Sequence, residues 1–144
     1  NSEKYEIRQW ELNSPGNLRK IIARINKIRK ENPGLQNTHT LKFHNIENEA
    51  LICYSKTSED LENIILVVVN LDPHHTHSGW LNLSLDELGL DATTPYQVHE
   101  LIDGSFYLWQ GAHNYVEINP GMMPAHIFRI RRKVRTESDF DYFM

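Results

Sequence analysis

Three histidines and one aspartate crowd into a short stretch, directly after the most apolar segment of the chain. Asp72, His74, His75 and His77 follow the apolar run at residues 64–69 and the turn residues that end it. Imidazole nitrogens and carboxylate oxygens are ligands for Zn²⁺, so two of these histidines with Asp72 would make a partial zinc site. No cysteine or second histidine pair stands at zinc-finger spacing. We therefore interpret the cluster as turn chemistry at a strand end and predict no metal.

A second group of residues that could bind a ligand is aromatic. Sugars stack on flat aromatic faces, so tryptophan and tyrosine side chains would form a carbohydrate platform if several lay coplanar and exposed. The same residue types also fill the core and the cross-strand pairs of β-sheets. We interpret most of them as packing residues and keep sugar binding through surface aromatics as the alternative. The five candidates are Trp80, Tyr96, Tyr107, Trp109 and Tyr115.

Two pairs of neighbouring carboxylates are the remaining candidates for acid–base chemistry. They are Asp86 with Glu87 and Asp139 with Asp141. Acidic residues in turns and tails are usually solvated, and the sequence holds neither a glycine-rich phosphate loop nor a G-x-S-x-G motif. Cys53, the single cysteine, lies within the apolar segment ALICY, where a thiol is buried and unreactive. We predict no catalytic residue and no cofactor in this chain.

The elements that must position these residues are mostly strands. The six apolar residues at 64–69 predict a central strand that is covered on both faces. From residue 38 onward, short alternating segments and turn residues recur at intervals of about ten residues, which is typical of an antiparallel β-sandwich. The sequence therefore predicts a mainly β domain. Its strands are expected at residues 40–44, 50–56, 63–70, 79–83, 96–101, 105–109, 115–118 and 125–131.

One amphipathic α-helix precedes the predicted strands. Ser14 and Pro15 supply an N-cap and a first helical residue, and Pro33 with Gly34 ends the helix. The apolar residues between them form one stripe, so we expect the helix to pack on the sandwich or on a neighbouring molecule. A single helical turn is predicted at residues 85–90, with Gly89 at its end. The stripe consists of Leu18, Ile21, Ile22, Ile25 and Ile28.

Charge is divided unevenly along the chain. The net charge is −4, yet residues 1–34 carry 8 basic and 4 acidic side chains, whereas residues 35–144 carry 7 and 15. This shift predicts a boundary near residue 34, and the acidic remainder argues against a nucleic-acid partner. No apolar run is long enough to span a membrane, and a single cysteine favours the cytoplasm. Because the chain begins at Asn1, inside polar sequence, we interpret it as a piece of a longer protein.

Several long motifs resemble one family. They are SEKYEIR, PGNLRKIIARINKIRKENPGLQ, ILVVVNLDPHH, PYQVHEL, MPAHIFRIRR and RTESDFDYF. Over essentially its whole length the chain is similar to the C-terminal end of bacterial α-1,4-glucan:maltose-1-phosphate maltosyltransferases, which belong to the α-amylase superfamily (glycoside hydrolase family 13). The resemblance implies that residues 1–34 are the last loop and helix of a catalytic (β/α)₈ barrel. It also implies an α-amylase-type C-terminal β-sandwich at residues 38–134 and a charged, aromatic tail at residues 135–144.

The resemblance also implies an activity, the transfer of maltosyl units from α-maltose 1-phosphate to α-1,4-glucan with retention of configuration. The carboxylates that such chemistry requires lie on barrel strands upstream, so none of them is expected here. Lys4 and Tyr5 are implied to bind the donor, through a cation and through a ring with a hydroxyl. The full-length enzyme is expected to bind glucan and maltose 1-phosphate and to form a homodimer. Another superfamily member, such as a trehalose synthase or branching enzyme, is an alternative.

Overall fold

The computed structural model describes residues 15–36 and 39–132 of the chain. Helix α1 spans Pro15–Glu31, a 3₁₀ helix spans Pro33–Gln36 and the short helix α2 spans Leu85–Leu88. None of the helices in this part of the chain is long and apolar enough to cross a membrane. The strands are β1 (Lys42–Ile46), β2 (Leu51–Thr57), β3 (Ile64–Asn70), β4 (His77–Asn82), β5 (Tyr96–Glu100), β6 (Phe106–Trp109), β7 (His113–Ile118) and β8 (Ala125–Arg132).

These eight strands form one antiparallel sheet in the order β6-β5-β8-β3-β2-β1-β4-β7. Strand β1 turns the corner between two layers, because Lys42–His44 pairs with β2 whereas Asn45 and Ile46 pair with β4. The large layer comprises β6, β5, β8, β3, β2 and the first half of β1, and the small layer comprises the second half of β1 with β4 and β7. Leu81 and Val116 of the small layer share one core with Leu66 and Phe128 of the large layer. The predicted β-sandwich is thus confirmed.

Strand β3 is the central strand, as its apolar run predicts. It pairs with β2 on one side and β8 on the other. Leu66 and Val68 join the inter-layer core, and Ile65, on the opposite face, is also fully buried. The 3₁₀ helix is anchored beside this outer face, where Lys56 Nζ donates to the Leu35 carbonyl oxygen at 2.9 Å. Both faces of the strand are therefore covered.

Helix α1 begins at Pro15, as predicted, and packs on the sandwich. Ile28 is buried against Ile102 and Met123. The Arg24 side chain adds a polar contact, since Nε donates to the Leu101 carbonyl oxygen at 3.1 Å. The apolar stripe of α1 is only partly buried, because Ile22 is 50% exposed.

The predicted strands all occur, with their ends displaced by at most two residues. Strand β7 starts at His113, two residues before the predicted strand, and its polar residue Asn114 faces inward. Its side-chain nitrogen Nδ2 donates to the Tyr96 hydroxyl at 3.1 Å, which compensates for its burial. Gly89 ends α2 with φ of +69°, as the sequence predicts, because glycine adopts the left-handed conformation without steric cost.

Candidate functional site

The two residues predicted to bind substrate, Lys4 and Tyr5, lie outside the described ranges 15–36 and 39–132. Their role as donor contacts therefore stays a prediction. The acidic pair Asp139 and Asp141 also falls outside those ranges. Asp86 and Glu87 are exposed on the single turn of α2.

The histidine cluster is organised around one carboxylate. Asp72 Oδ2 lies 3.0 Å from His75 Nδ1 and 3.0 Å from His77 Nε2, while Oδ1 accepts the His74 backbone N–H at 2.9 Å. The hydrogen bond with His77, followed by that from the His74 backbone, holds the pKa of Asp72 well below its usual range. Within the described ranges, no group of three or more His, Cys, Asp or Glu side chains is arranged to hold a metal. The cluster is a hydrogen-bonded turn.

The thiol of Cys53 is buried in the inter-layer core. Burial raises the pKa of this thiol to about 12, because a thiolate would lose its hydration there. The thiol is consequently unreactive at physiological pH, which agrees with the interpretation of its apolar sequence context.

The five aromatic candidates divide between the core and the surface. Tyr96 is buried, and its hydroxyl donates to the Gly111 carbonyl oxygen at 2.6 Å. Trp109 packs edge-on against Tyr96 and Phe128, with ring centroids 6.4 and 5.4 Å away. Both residues are packing residues, as predicted. Tyr107 packs edge-on against Phe128 and stays 38% exposed.

Of the five candidates, Trp80 and Tyr115 are the most exposed. They are directly opposite each other across β4 and β7, and they are 45% and 53% exposed. Their ring centroids are 5.3 Å apart with an angle of 63° between the planes. The Tyr115 hydroxyl donates to Ser78 Oγ at 2.6 Å. The pair is therefore exposed, as a sugar platform requires, but inclined rather than coplanar.

The side chains of His113 and Glu47 also belong to this surface, and the sequence alone pointed to neither of them. The His113 ring lies 5.2 Å from Trp80, between centroids, and its Nε2 is 3.2 Å from Glu47 Oε2. We call the surface formed by Trp80, Tyr115, His113, Glu47 and Ser78 the Trp80 face. The period of two along β7 places His113 beside Tyr115, so the alternation would have revealed it. Glu47 comes from the end of β1, which only the fold brings alongside.

A cavity of about 520 Å³ opens between the edge strands β6 and β7. Its lining includes Tyr107, Trp109, Met122, Phe128 and His126. Burial by itself would lower the pKa of His126, but the neighbouring Glu100 carboxylate outweighs this effect, so the pKa lies above its usual value. The cavity thus combines an apolar aromatic wall with one imidazole whose pKa is raised.

The Glu100 carboxylate lies fully buried beneath this cavity. Its Oε1 accepts the backbone N–H groups of Ile102 at 2.8 Å and Asp103 at 2.7 Å, and its Oε2 accepts that of Ile127 at 2.7 Å. His126 Nδ1 is 3.7 Å from Oε2. A buried carboxylate with this many partners locks the β5–β6 turn to β8, and we interpret it as structural.

Two solved structures of α-amylases share this fold. The Geobacillus thermoleovorans α-amylase, solved with acarbose, aligns with a TM-score of 0.61 and 12% identity over 85% of this chain and 24% of that chain. The Anoxybacillus α-amylase aligns with a TM-score of 0.56 and 14% identity over 81% of this chain and 23% of that chain. At identities this low the likeness shows the fold alone. It defines an α-amylase-like C-terminal β-sandwich.

The sequence comparisons define the family. The model described as "GLGE, C-terminal" matches residues 43–130, and the chain belongs to that family. Similar relatives are the α-1,4-glucan:maltose-1-phosphate maltosyltransferases of Chlorobaculum tepidum (48% identity over 90% of this chain), Salinibacter ruber (45% over 90%) and Myxococcus xanthus (38% over 99%). This chain spans 20%, 19% and 21% of those three relatives, respectively, or about a fifth of their length.

Proposed function

We propose that this chain is the non-catalytic C-terminal part of a retaining maltosyltransferase that transfers maltosyl units from α-maltose 1-phosphate to α-1,4-glucan. The observation that carries the proposal is the docking of α1 on the sandwich. In the proposed enzyme α1 is the last helix of the catalytic barrel, and the sandwich holds that helix in place.

The two sides of α1 support this role. On one side, Ile28 is buried against the sandwich and Arg24 donates to the Leu101 carbonyl oxygen. On another, Ile22 is half exposed. Ile22 leaves apolar surface on this side of the helix, and packing against a further element would remove that surface from water. The barrel of the proposed enzyme is that element.

The chemistry of the proposed enzyme is carried by residues of the barrel. A carboxylate displaces phosphate from the donor and forms a glycosyl-enzyme, which the glucan hydroxyl then attacks with help from the acid/base. From this chain we propose Lys4 and Tyr5 as donor contacts. Lys4 supplies a cation for the phosphate or a donor for sugar hydroxyls, and Tyr5 supplies a ring and a hydroxyl. The enzyme is proposed to act in the cytoplasm as a homodimer.

A chimera tests the proposal. The segment of the Chlorobaculum tepidum maltosyltransferase that aligns with this chain is replaced by residues 1–144, and phosphate release from α-maltose 1-phosphate is measured with maltoheptaose as acceptor. We expect the chimera to retain activity within about tenfold of the parent and the isolated chain to release none. A folded but inactive chimera, or turnover by the isolated chain, would contradict the proposal.

The donor contacts need their own variant in the same chimera. Lys4→Ala is expected to raise KM for α-maltose 1-phosphate, whereas Lys20→Ala, on the exposed side of α1, leaves KM unchanged. An unchanged KM in Lys4→Ala would remove this residue from the donor site. The alternative of another superfamily enzyme, such as a trehalose synthase or branching enzyme, is tested by the sequence of the barrel that precedes this chain in its own protein, because the barrel carries the catalytic residues.

Autonomous binding of sugar through surface aromatics is the second candidate function. It is favoured by the exposed pair Trp80 and Tyr115. The two functions are compatible because this pair and α1 lie on different layers of the sandwich.

A further inference from the structure

The Trp80 face offers the combination of groups that a neutral polyhydroxylated ligand requires. Trp80 and Tyr115 present exposed ring surface for the C–H faces of sugar rings. Around them stand a carboxylate, Glu47, and the imidazole of His113, which pair with each other at 3.2 Å and offer hydrogen bonds to hydroxyl groups.

The charge of the Trp80 face limits which class of ligand can bind there. Strands β4 and β7 contain no lysine or arginine, and Glu47 and Glu117 stand exposed on or beside the face. A surface of this kind repels phosphate groups, so it is unsuited to nucleic acids and to a sugar phosphate. A neutral glucan is the carbohydrate that fits.

The inclination of the two rings suits a curved glucan better than a flat one. A β-1,4-glucan is extended and flat, and it stacks on coplanar rings. An α-1,4-glucan curves, so that successive glucose rings face different directions. Trp80 and Tyr115, inclined at 63° with centroids 5.3 Å apart, offer two planes to such a curved chain. The hydrogen bond from the Tyr115 hydroxyl to Ser78 Oγ holds one of these planes in place.

The position in the fold keeps the surface accessible. Helix α1 and the 3₁₀ helix pack beside the large layer, through Ile28 and Leu35. The Trp80 face lies on the outer side of the small layer, across the core. If the barrel extends from α1, as the proposed function holds, it covers the other side of the sandwich.

We propose that the Trp80 face binds α-1,4-glucan chains. The identity of the ligand rests on the proposed function, because the relatives are named as α-1,4-glucan:maltose-1-phosphate maltosyltransferases. The binding surface itself rests on the geometry of β4, β7 and the end of β1. Such a site raises the local concentration of polymer ends around the protein that carries it.

The test titrates the ¹⁵N-labelled 144-residue chain with maltoheptaose and follows NMR chemical shifts. We expect saturable shifts at the Trp80 indole N–H and along β4 and β7. Cellohexaose, which has the β-1,4 linkage, is expected to produce none. Absence of saturation with maltoheptaose, or equal shifts with cellohexaose, would overturn the proposal, and so would a sugar-independent dimer formed through this face in sedimentation experiments.

Variants locate the site. Trp80→Ala is expected to weaken maltoheptaose binding at least about tenfold, because a central aromatic anchor carries a large share of such affinity. Phe43→Ala, which removes a 68% exposed ring on β1 away from the Trp80 face, is the matched control and leaves affinity unchanged. If Trp80→Ala fails to fold, Glu47→Ala removes the carboxylate from an exposed position and is expected to weaken binding about threefold. Unchanged affinity in folded variants would overturn the site.

The outcome separates the two proposals. A chain that does not bind maltoheptaose but supports activity of the chimera refutes only the glucan site. A chain that binds maltoheptaose through Trp80 but cannot support the chimera refutes only the proposed function.

Discussion

Glu100 and Ile127 are joined by a hydrogen bond of 2.7 Å from the Ile127 backbone N–H to Glu100 Oε2, inside the protein. Oε1 of the same carboxylate holds two backbone N–H groups of the β5–β6 turn. One side chain therefore ties the end of β5 to β8 and shapes the turn that receives α1. We therefore expect the stability of the domain to depend on Glu100 more than on an exposed acid.

Substitution of this carboxylate is expected to be costly. In Glu100→Gln the amide nitrogen cannot accept a hydrogen bond, so a buried backbone N–H loses its partner. We expect the free energy of unfolding to fall by about 2–3 kcal/mol, measured by urea denaturation. Glu49→Gln, the same change at an exposed position, is the control and is expected to stay within about 0.5 kcal/mol. Equal effects at both positions would contradict a structural role for Glu100.

His126 should make stability depend on pH at values above about 6.5. Its folded pKa is raised above the unfolded value of about 6.5, because Glu100 stabilises the charged ring and Asp103 adds to the effect. The contribution of the charged His126 ring to the stability of the folded state is therefore fully present below pH 6.5. It is lost as pH rises through the folded pKa. The stability difference between the wild type and His126→Gln should shrink between pH 6 and pH 9. In NMR titrations, Glu100→Gln should lower the pKa of His126, and an unaltered value would refute the coupling.

His44 should act in the opposite direction. Burial lowers its pKa, and its Nδ1 accepts the Ser84 backbone N–H at 3.2 Å while its Nε2–H donates to Ser55 Oγ at 2.8 Å. Protonation of Nδ1 would break the first bond. The stability of the neutral form is thus present above pH 6.5 and is lost as pH falls through the folded pKa. Urea denaturation should give a smaller free energy of unfolding at pH 5 than at pH 7.5. His44→Gln is expected to abolish this difference. A ring that titrates above 6.5 by NMR would contradict this assignment.

The two sides of α1 give a paired test of its docking. Ile28→Ala should lower the free energy of unfolding by about 2–4 kcal/mol, because it leaves a cavity against Ile102 and Met123. Ile22→Ala, on the exposed side of the helix, should change it by less than about 0.5 kcal/mol. Equal losses at both positions in the isolated chain would show that the helix does not pack as described.

Local chemistry made several features predictable from the sequence. The apolar run of β3 has too few residues for a typical helix and no polar face, so it had to be a covered strand. Pro15 marked the start of α1, and Gly89 marked the end of α2 because it tolerates a positive φ. These signals act within a few residues and do not depend on the rest of the chain.

The tertiary structure decided which side chains meet. Alternation places Trp80 and Tyr115 on one face of each strand, but it does not say that β4 pairs with β7 or that this face meets water. The burial of Glu100 is likewise invisible in PYQVHEL, because its partners are backbone groups of the following turn and of Ile127, distant in sequence. Strand pairing brings residues together across long separations, and only the folded sheet sets the register. The Trp80 face and the buried carboxylate both arise from that register.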